Sequence, residues 1–403
     1  MTSQPRKAGS LFSGAGGLDL AVEAVFGAET SWVSDIIARD KHGRQIGDAP
    51  RILAHRFPGI PNLGDITTVD WAGVERVYII AGGSPCQDVS TAGKRAGMTE
   101  GTRSNLWVAM RDAIAYLQPA YVIWENVRGS LTARADSALE SDPRLLGDHQ
   151  PGVPVLRAAG RVLGDLATLG FDAAWCVLPA SSVGAPHGRS RIFVVAAHPE
   201  RVARLQWGVA TPTQTEVGRP LCAVARRGGA SGLGLLPTPR ASRGASDTET
   251  VALLPTPVTT DGKSRSAGDL RRKNPGLRSV SDLLPTPSAG NFNASESPEQ
   301  WGTMPLSKSS SPRATQQAWG PYRAAIARWE ALTRPAPAPT IPGKNGRPRL
   351  NPQFSEWMMG WPAGWVTDVP GMRDPWKHHA IGNGVVPQQA AAAIRWCLAQ
   401  LAQ

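Results

Sequence analysis

The sequence predicts an α/β fold with a mostly parallel sheet, joined to a smaller irregular region. Three observations carry this expectation: short apolar runs alternate with helical patterns over the first 197 residues, glycine-rich turns follow several of those runs, and the composition changes abruptly after residue 197. Parallel strands need long crossovers, usually helical, so strands alternating with helices point to a parallel sheet. In order, Ala8 to Phe12 reads as a strand and Leu18 to Val25 as the helix after it. Ser31 to Asp35, Val77 to Ala81 and Tyr121 to Trp124 read as further strands, Leu106 to Tyr116 and Val155 to Leu169 as helices, and Arg191 to Ala197 as a last strand. Residues 39–51 and 128–154 look like added loops, each either an inert surface excursion or a contact to a nucleic-acid partner. Ligands of such sheets bind beyond the carboxyl ends of the strands. The turns are therefore the places to search for chemistry.

Residues 198–345 are rich in Pro, Gly, Ser, Thr and Arg and have little periodicity. The pentapeptide LLPTP occurs three times, starting at Leu235, Leu253 and Leu283. Spacings of 18 and 30 residues are unequal, which argues against a solenoid. Each leucine pair is expected to anchor an extended Pro-Thr-Pro segment, with basic loops between them. Order is expected again at LNPQFSEWMMGWPAGW, residues 350–365, too rich in aromatics for a linker, and in a C-terminal helix over Gln388 to Ala402.

Charge divides along the same line. Of the net +11, residues 1–197 contribute zero, residues 198–345 contribute +9 and residues 346–403 contribute +2. A neutral part beside a basic part suits a protein in which one portion does chemistry and another neutralises a polyanion. A solvated basic linker is the plainer alternative. Cys86, Cys176, Cys222 and Cys397 are scattered, with no C-x-x-C pair and no His/Cys cluster, so neither a metal site nor a disulfide framework is expected. The polar start MTSQPRKAGS and the lack of long apolar stretches lead to the expectation of a soluble, cytoplasmic protein with no membrane partner.

Four turns carry candidate chemistry. In SLFSGAGGLDL, glycines let a ligand approach the backbone before a helix begins. Asp35 after the second strand and Asp65 in LGDI would complete a nucleoside pocket, though each alone reads equally well as a helix cap. In AGGSPCQDVS, Cys86 is either core packing or a nucleophile held at the mouth of the sheet. In YVIWENV, Glu125 ends a buried strand, an expensive place for a carboxylate without a task. In HGRSRIFVV, Arg189 and Arg191 stand two apart at the edge of the same cleft.

Taken in order, FSGAGG, GDI, GGSPCQDVS, WENV, GRSRIFVVA and the late IGNGVVP resemble the motifs of DNA (cytosine-5)-methyltransferases. The resemblance covers residues 10–197 and roughly 346–400. It implies a Rossmann-like domain, dependent on S-adenosylmethionine, formed by residues 1–197 and 374–403, with residues 198–373 as a target-recognition domain. By position it makes Cys86 the nucleophile that adds to C6 of cytosine, Glu125 the partner of N3 and the exocyclic amine, Arg191 the contact to O2, and Arg189 its neighbour. It assigns the cofactor to Phe12, Ser13, Gly14, Ala15, Gly16, Asp35, Ile36, Asp65, Ile66, Pro85, Leu106, Asn383 and Gly384. No metal is implied. The reaction would need the target base flipped out of double-stranded DNA. A monomer is expected, and a companion restriction endonuclease fits, as does a bacterial or phage gene. Two positions depart from the family pattern: His187 stands where glutamine is usual, and Gly384 where serine is frequent. An RNA cytosine methyltransferase and an inactive DNA-binding module are the alternatives. The long basic segment disfavours the first, and the intact Cys86, Glu125 and Arg191 disfavour the second.

Overall fold

The computed structural model describes residues 6–85, 106–131, 158–204, 221–225, 253–254, 256–257, 319, 322–343 and 348–403. Its strands are β1 (Arg6–Leu11), β2 (Ala28–Ser34), β3 (Ile79–Gly82), β4 (Tyr121–Val127), β5 (Asp172–Pro179), β6 (Ser190–Ala197) and β7 (Leu221–Ala225), forming one sheet in the order β2-β1-β3-β4-β6-β5-β7. β1 pairs in parallel with β2 and β3, and β3 with β4, whereas β6 lies antiparallel between β4 and β5, and β7 is antiparallel to β5. Five strands thus share one direction. The mostly parallel sheet expected from the alternation of elements is present.

Helices α1 (Gly17–Phe26), α3 (Leu106–Leu117) and α4 (Ala158–Thr168) cover the sheet, with α2 (Ala49–Arg56) and the short α5 (Pro199–Arg204) at its edges. Alternate residues of the central strands enter different cores, as the two-residue period of a strand requires. Ile80, Val122, Trp124, Ile192 and Val194 pack with Met110, Ile114, Val162 and Leu166 of α3 and α4. Ile79, Ile123, Phe193 and Val195 pack with α1 and with a returning C-terminal helix. Burial on both faces explains the almost unbroken apolar character of β3, β4 and β6. β1 carries an irregularity between Ala8 and Gly9, where a side chain on Gly9 would enter the indole of the buried Trp32.

The C-terminal part forms α6 (Arg323–Leu332), a two-stranded sheet of β8 (Thr340–Pro342) and β9 (Pro348–Leu350), then α7 (Pro352–Met358), α8 (Asp374–Asn383) and α9 (Pro387–Leu401). α9 matches the expected terminal helix and packs on α1, and the Nε2 amide of its buried Gln389 donates to the carbonyls of Leu178 and Arg189 at 2.7 and 2.8 Å. The chain end thereby closes against its beginning. A third core joins Trp319, Trp329, Phe354, Trp357 and Trp361 to Ala15, Ile52, Ala180, Ile381 and Val386.

Three features depart from expectation. β5 was absent from the anticipated strands. The excursion over 39–51 is shorter than expected, because Asp48 caps α2 by accepting from the Arg51 amide at 3.2 Å, and Asp40 binds Arg44 in a compact turn before it. β7 extends the main sheet beyond the boundary expected at residue 197. Of the three LLPTP copies only the middle one is described, in part: Leu254 is buried and its amide donates to the Pro186 carbonyl at 2.7 Å. The remainder of the 128–154 excursion beyond Leu131 lies outside the described residues.

Candidate active site

The first turn is built by conformation. Phe12, Gly14 and Gly16 all have positive φ, at 54°, 59° and 80°, so the backbone reverses between β1 and α1 within a few residues. Asp35, at the exit of β2, holds the turn: the Gly14 amide donates to its Oδ2 at 2.6 Å and the Ile36 amide to its Oδ1 at 2.7 Å. Burial pushes the Asp35 carboxyl up to about 6, against the two amide bonds that favour its charged form. Next to it Ile36 is 51% exposed, an apolar side chain left open beside a carboxylate at the mouth of the sheet. Asp65 caps the single 3-10 turn that follows it, accepting from the Thr67 amide at 3.0 Å and the Thr67 hydroxyl at 2.8 Å, while Ile66 is buried beneath. The cap is thus its structural part. Asn62 ties the two acidic turns together, since its Oδ1 accepts from the Asp35 amide and its Nδ2 donates to the Asp35 carbonyl.

One cavity brings together Phe12, Ser13 and Gly14 of this turn, Gly83, Glu125 at the exit of β4, and Asn383, Gly384 and Val385 of the returning segment. Ala15 is buried under the turn, Gly16 is backed by the Phe57 ring, and Leu106 begins α3. Glu125 sits in an ion pair with Arg191, Nε to Oε1 at 3.0 Å, the two side chains 11% and 16% exposed. Burial raises its pKa, and the nearby Arg191 and Arg189 oppose that rise. The carboxyl is left closer to protonation at neutral pH than a surface glutamate. A side chain at Gly83 would meet Glu125 Oε2 at 3.0 Å, which accounts for glycine there.

Two bonds fix the turn that leads to Cys86. The Trp124 indole N–H donates to Ser84 Oγ at 3.0 Å and Asn126 Nδ2 to the Ser84 carbonyl at 3.1 Å, so β4 anchors the chain as far as Ser84, with Pro85 half-buried after it. Cys86 itself lies outside the described residues. Among the described residues no cluster of three or more His, Cys, Asp or Glu could hold a metal, and no helix is long and apolar enough to cross a membrane.

Arg189 is buried and donates through its guanidinium to the Gly384 carbonyl at 2.9 Å, linking the fourth turn to the returning segment. His187 is fully buried: Nε2 binds the Met358 carbonyl at 3.0 Å, and Nδ1 accepts from the Arg189 amide at 3.4 Å. These partners require the neutral tautomer with the proton on Nε2. Burial and the adjacent arginines push its pKa down to about 3.

A family model for C-5 cytosine-specific DNA methylase matches residues 7–220, more than half of the chain. The chain belongs to the C-5 cytosine-specific DNA methylase family. The matched region includes Asp35, Cys86, Glu125 and Arg191 and stops short of Asn383 and Gly384. Among curated methylases, a type II methyltransferase of Neisseria gonorrhoeae is 33% identical over 178 residues, 40% of this chain and 44% of that protein. A type II methyltransferase of Bacillus subtilis is 28% identical over 195 residues, 47% of this chain and 39% of that protein. A DNA N-6-adenine-methyltransferase of Escherichia phage P1 is 31% identical over 186 residues, 36% of this chain and 24% of that protein. The chain spans less than half the length of these relatives. Among solved structures, a DNMT2 variant of Spodoptera frugiperda has a TM-score of 0.44 at 16% identity, covering 96% of this chain and 97% of that one.

Sequence reasoning missed Asn62 and Gln389, whose side-chain amides bond backbone far away in the chain, and Ser84, which accepts from the distant side chains of Trp124 and Asn126. It also left Trp361 and Trp365 without a role, although the aromatic density around them was a signal.

Proposed function

We propose that the protein is a DNA (cytosine-5)-methyltransferase that moves a methyl group from S-adenosylmethionine to C5 of a flipped cytosine within a specific duplex sequence. The observation that carries the reading is Glu125: a buried carboxyl, paired to Arg191 at 3.0 Å, facing a cavity shared with the glycine-rich first turn and the Asn383–Gly384 segment. Family membership and the methyltransferase relatives support the same chemistry.

S-adenosylmethionine would supply an electrophilic methyl group. The residues fit it: the Asp35 carboxylate suits ribose hydroxyls, the exposed Ile36 offers an apolar face to the adenine, and Asp65 with Ile66 would border its edge. The Phe12–Gly16 turn and Asn383–Gly384 would enclose the methionine end, with Pro85 and Leu106 alongside. Cytosine C5 is a weak nucleophile until a thiolate adds to C6. In this account the Cys86 sulfur forms the bond to C6, the ring electrons shift toward C5, and Glu125 gives a proton to N3 so that no anion accumulates on the ring. Arg191 then serves twice, holding Glu125 and reaching O2, while Arg189 fixes the turn that presents it. After C5 has taken the methyl group it loses its proton to a base, N3 returns its proton to Glu125, the C6–S bond breaks and Cys86 departs as thiolate. A stacked base is out of reach of such a site, so the cytosine must leave the helix.

Residues 1–197 and 374–403 would form the catalytic part and residues 198–373 the DNA-reading part, with the +9 charge of residues 198–345 contributing phosphate contacts. We place the enzyme as a monomer in the cytoplasm of a bacterium, of cellular or phage origin. The names of several relatives, type II methyltransferases, make a companion endonuclease reasonable. Expression in a methylation-free host followed by bisulfite sequencing tests the reading. One methylated motif, absent with Cys86→Ala, is expected; unmethylated DNA despite soluble, cofactor-bound protein would refute it.

A further inference from the structure

The loop after α7, sequence GWPAGW, touches both walls of the cavity from behind. The indole N–H of Trp365 donates to the carbonyl of Ala15, in the first turn, at 2.6 Å. That of Trp361 donates to the carbonyl of Val385, in the returning segment, at 2.9 Å. Trp361 is fully buried, and its ring fills the space beside Gly384: a Cβ there would land on Cζ2 and Cη2 of the indole. A Cβ on Gly17 would come within 2.9 Å of the same indole nitrogen.

The loop is itself tightly held. The buried Glu356 carboxylate accepts the amides of Gly364, Val366 and Thr367 at 2.9, 2.6 and 3.0 Å, and the Thr367 hydroxyl at 3.1 Å. Arg56 of α2 donates to the carbonyls of Gly364 and Trp365 and lies over the Trp365 ring, 5.3 Å from its centroid. Phe57 meets that ring edge-on at 6.1 Å. Such rigidity is wasted on a surface loop and useful for a loop that sets the position of something else.

We propose that Trp361 and Trp365 are positioning residues for cofactor binding, Trp365 setting the first turn and Trp361 the returning turn, with Gly384 and Trp361 acting as a matched pair. This deepens the reading above and rests on its cofactor site. It also gives the Gly384 departure a physical meaning: the room a serine side chain would use is occupied by an indole. Because the loop lies within the segment assigned to DNA reading, the two indoles make that segment part of the cofactor site.

The test measures S-adenosylhomocysteine binding to the full chain by calorimetry. Trp365→Phe keeps an aromatic ring there and removes the part-buried hydrogen bond to Ala15, so binding should weaken about fivefold to tenfold, with the cofactor KM rising in step while kcat and the KM for DNA stay within about twofold. Gly384→Ser should weaken binding more than about tenfold from the clash, and Gly384→Ala, which puts a Cβ on the same indole atoms without a hydroxyl, should show a comparable loss. A folded Trp365→Phe with wild-type affinity, or a Gly384→Ser that binds as tightly as wild type, overturns the proposal. If Trp365→Phe fails to fold, Arg56→Ala releases the same loop from its outer side and must give the same selective loss of cofactor affinity. A wild-type chain that binds no S-adenosylhomocysteine would remove the functional reading itself, a result distinct from a binding wild type with indifferent variants.

Discussion

At Glu125 two effects oppose each other: burial raises the carboxyl pKa, and the arginines beside it restrain the rise. If the residual proton affinity is what activates cytosine, Glu125→Gln should lower kcat by about 10²–10⁴ in a methyl-transfer assay while leaving cofactor binding close to wild type. Arg191→Ala leaves the same carboxylate buried without its ion pair, at a cost of about 3–5 kcal/mol. Urea unfolding should show that cost shrinking as pH falls and Glu125 takes up a proton. Asp19 is a second buried acid, raised to about 6, with one carboxyl oxygen lacking a hydrogen-bond partner. Between pH ~4 and ~6 the unfolded chain ionises this group while the folded chain keeps the proton, so its contribution lowers stability as pH rises through that window and is constant above it. Asp19→Asn should therefore stabilise by on the order of 2–3 kcal/mol at pH 7 and by much less near pH 4. His187 has the opposite sign. Its folded pKa of about 3 lies below the ordinary 6.5, so stability is lost as pH falls from 6.5 toward 3, where only the unfolded chain becomes protonated. His187→Gln keeps a donor for the Met358 carbonyl and should remove that acid sensitivity, as thermal melts at pH 4.5 and 7.5 would reveal.

Elements differ in how openly the sequence declares them. The first glycine-rich turn was legible because Gly14 and Gly16 meet a backbone demand that is local, a positive φ between β1 and α1. Glu125 was legible because a carboxylate ending the apolar run Tyr121 to Trp124 violates the pattern around it. β5 was not, since DAAWCVLP is built largely of Asp, Ala and Pro, poor strand formers, with Trp175 and Val177 alone favouring a strand. The contacts that finish the site were invisible for another reason: Trp365 and Ala15 are separated by 350 positions, and nothing local in either records the other. Ser84 shows how an element passes geometry to the chain that leads to the proposed nucleophile. By accepting from Trp124 and bonding Asn126 it ties the Cys86 turn to the same strand end that carries Glu125. Ser84→Ala should leave a buried indole N–H unsatisfied, cost about 1–3 kcal/mol, and lower kcat without changing cofactor affinity.

Across the whole molecule, the chain end is part of the first half of the fold. Ile394, Cys397 and Leu398 of α9 complete the core behind β3, β4 and β6, and Gln389 binds backbone at both β5 and the fourth turn. Deleting residues 374–403 should therefore abolish the native near-ultraviolet circular dichroism, whereas a separable appendage would leave it intact. The basic segment between the two halves was recognisable by charge, with +9 in residues 198–345, but its sequence contained no clue that β7 joins the main sheet. In the proposed reaction a thiolate on Cys86 attacks a cytosine held by Glu125 and Arg191. Duplex DNA carrying the methylated motif, with 5-fluorocytosine at the target position, tests it most directly because fluorine blocks the proton loss that precedes release of the enzyme. With S-adenosylmethionine present, the wild-type protein should form a denaturation-resistant adduct mapped by mass spectrometry to Cys86, and Cys86→Ala should form none. A wild-type protein that methylates ordinary DNA but yields no adduct, or an adduct that persists in Cys86→Ala, would contradict the account.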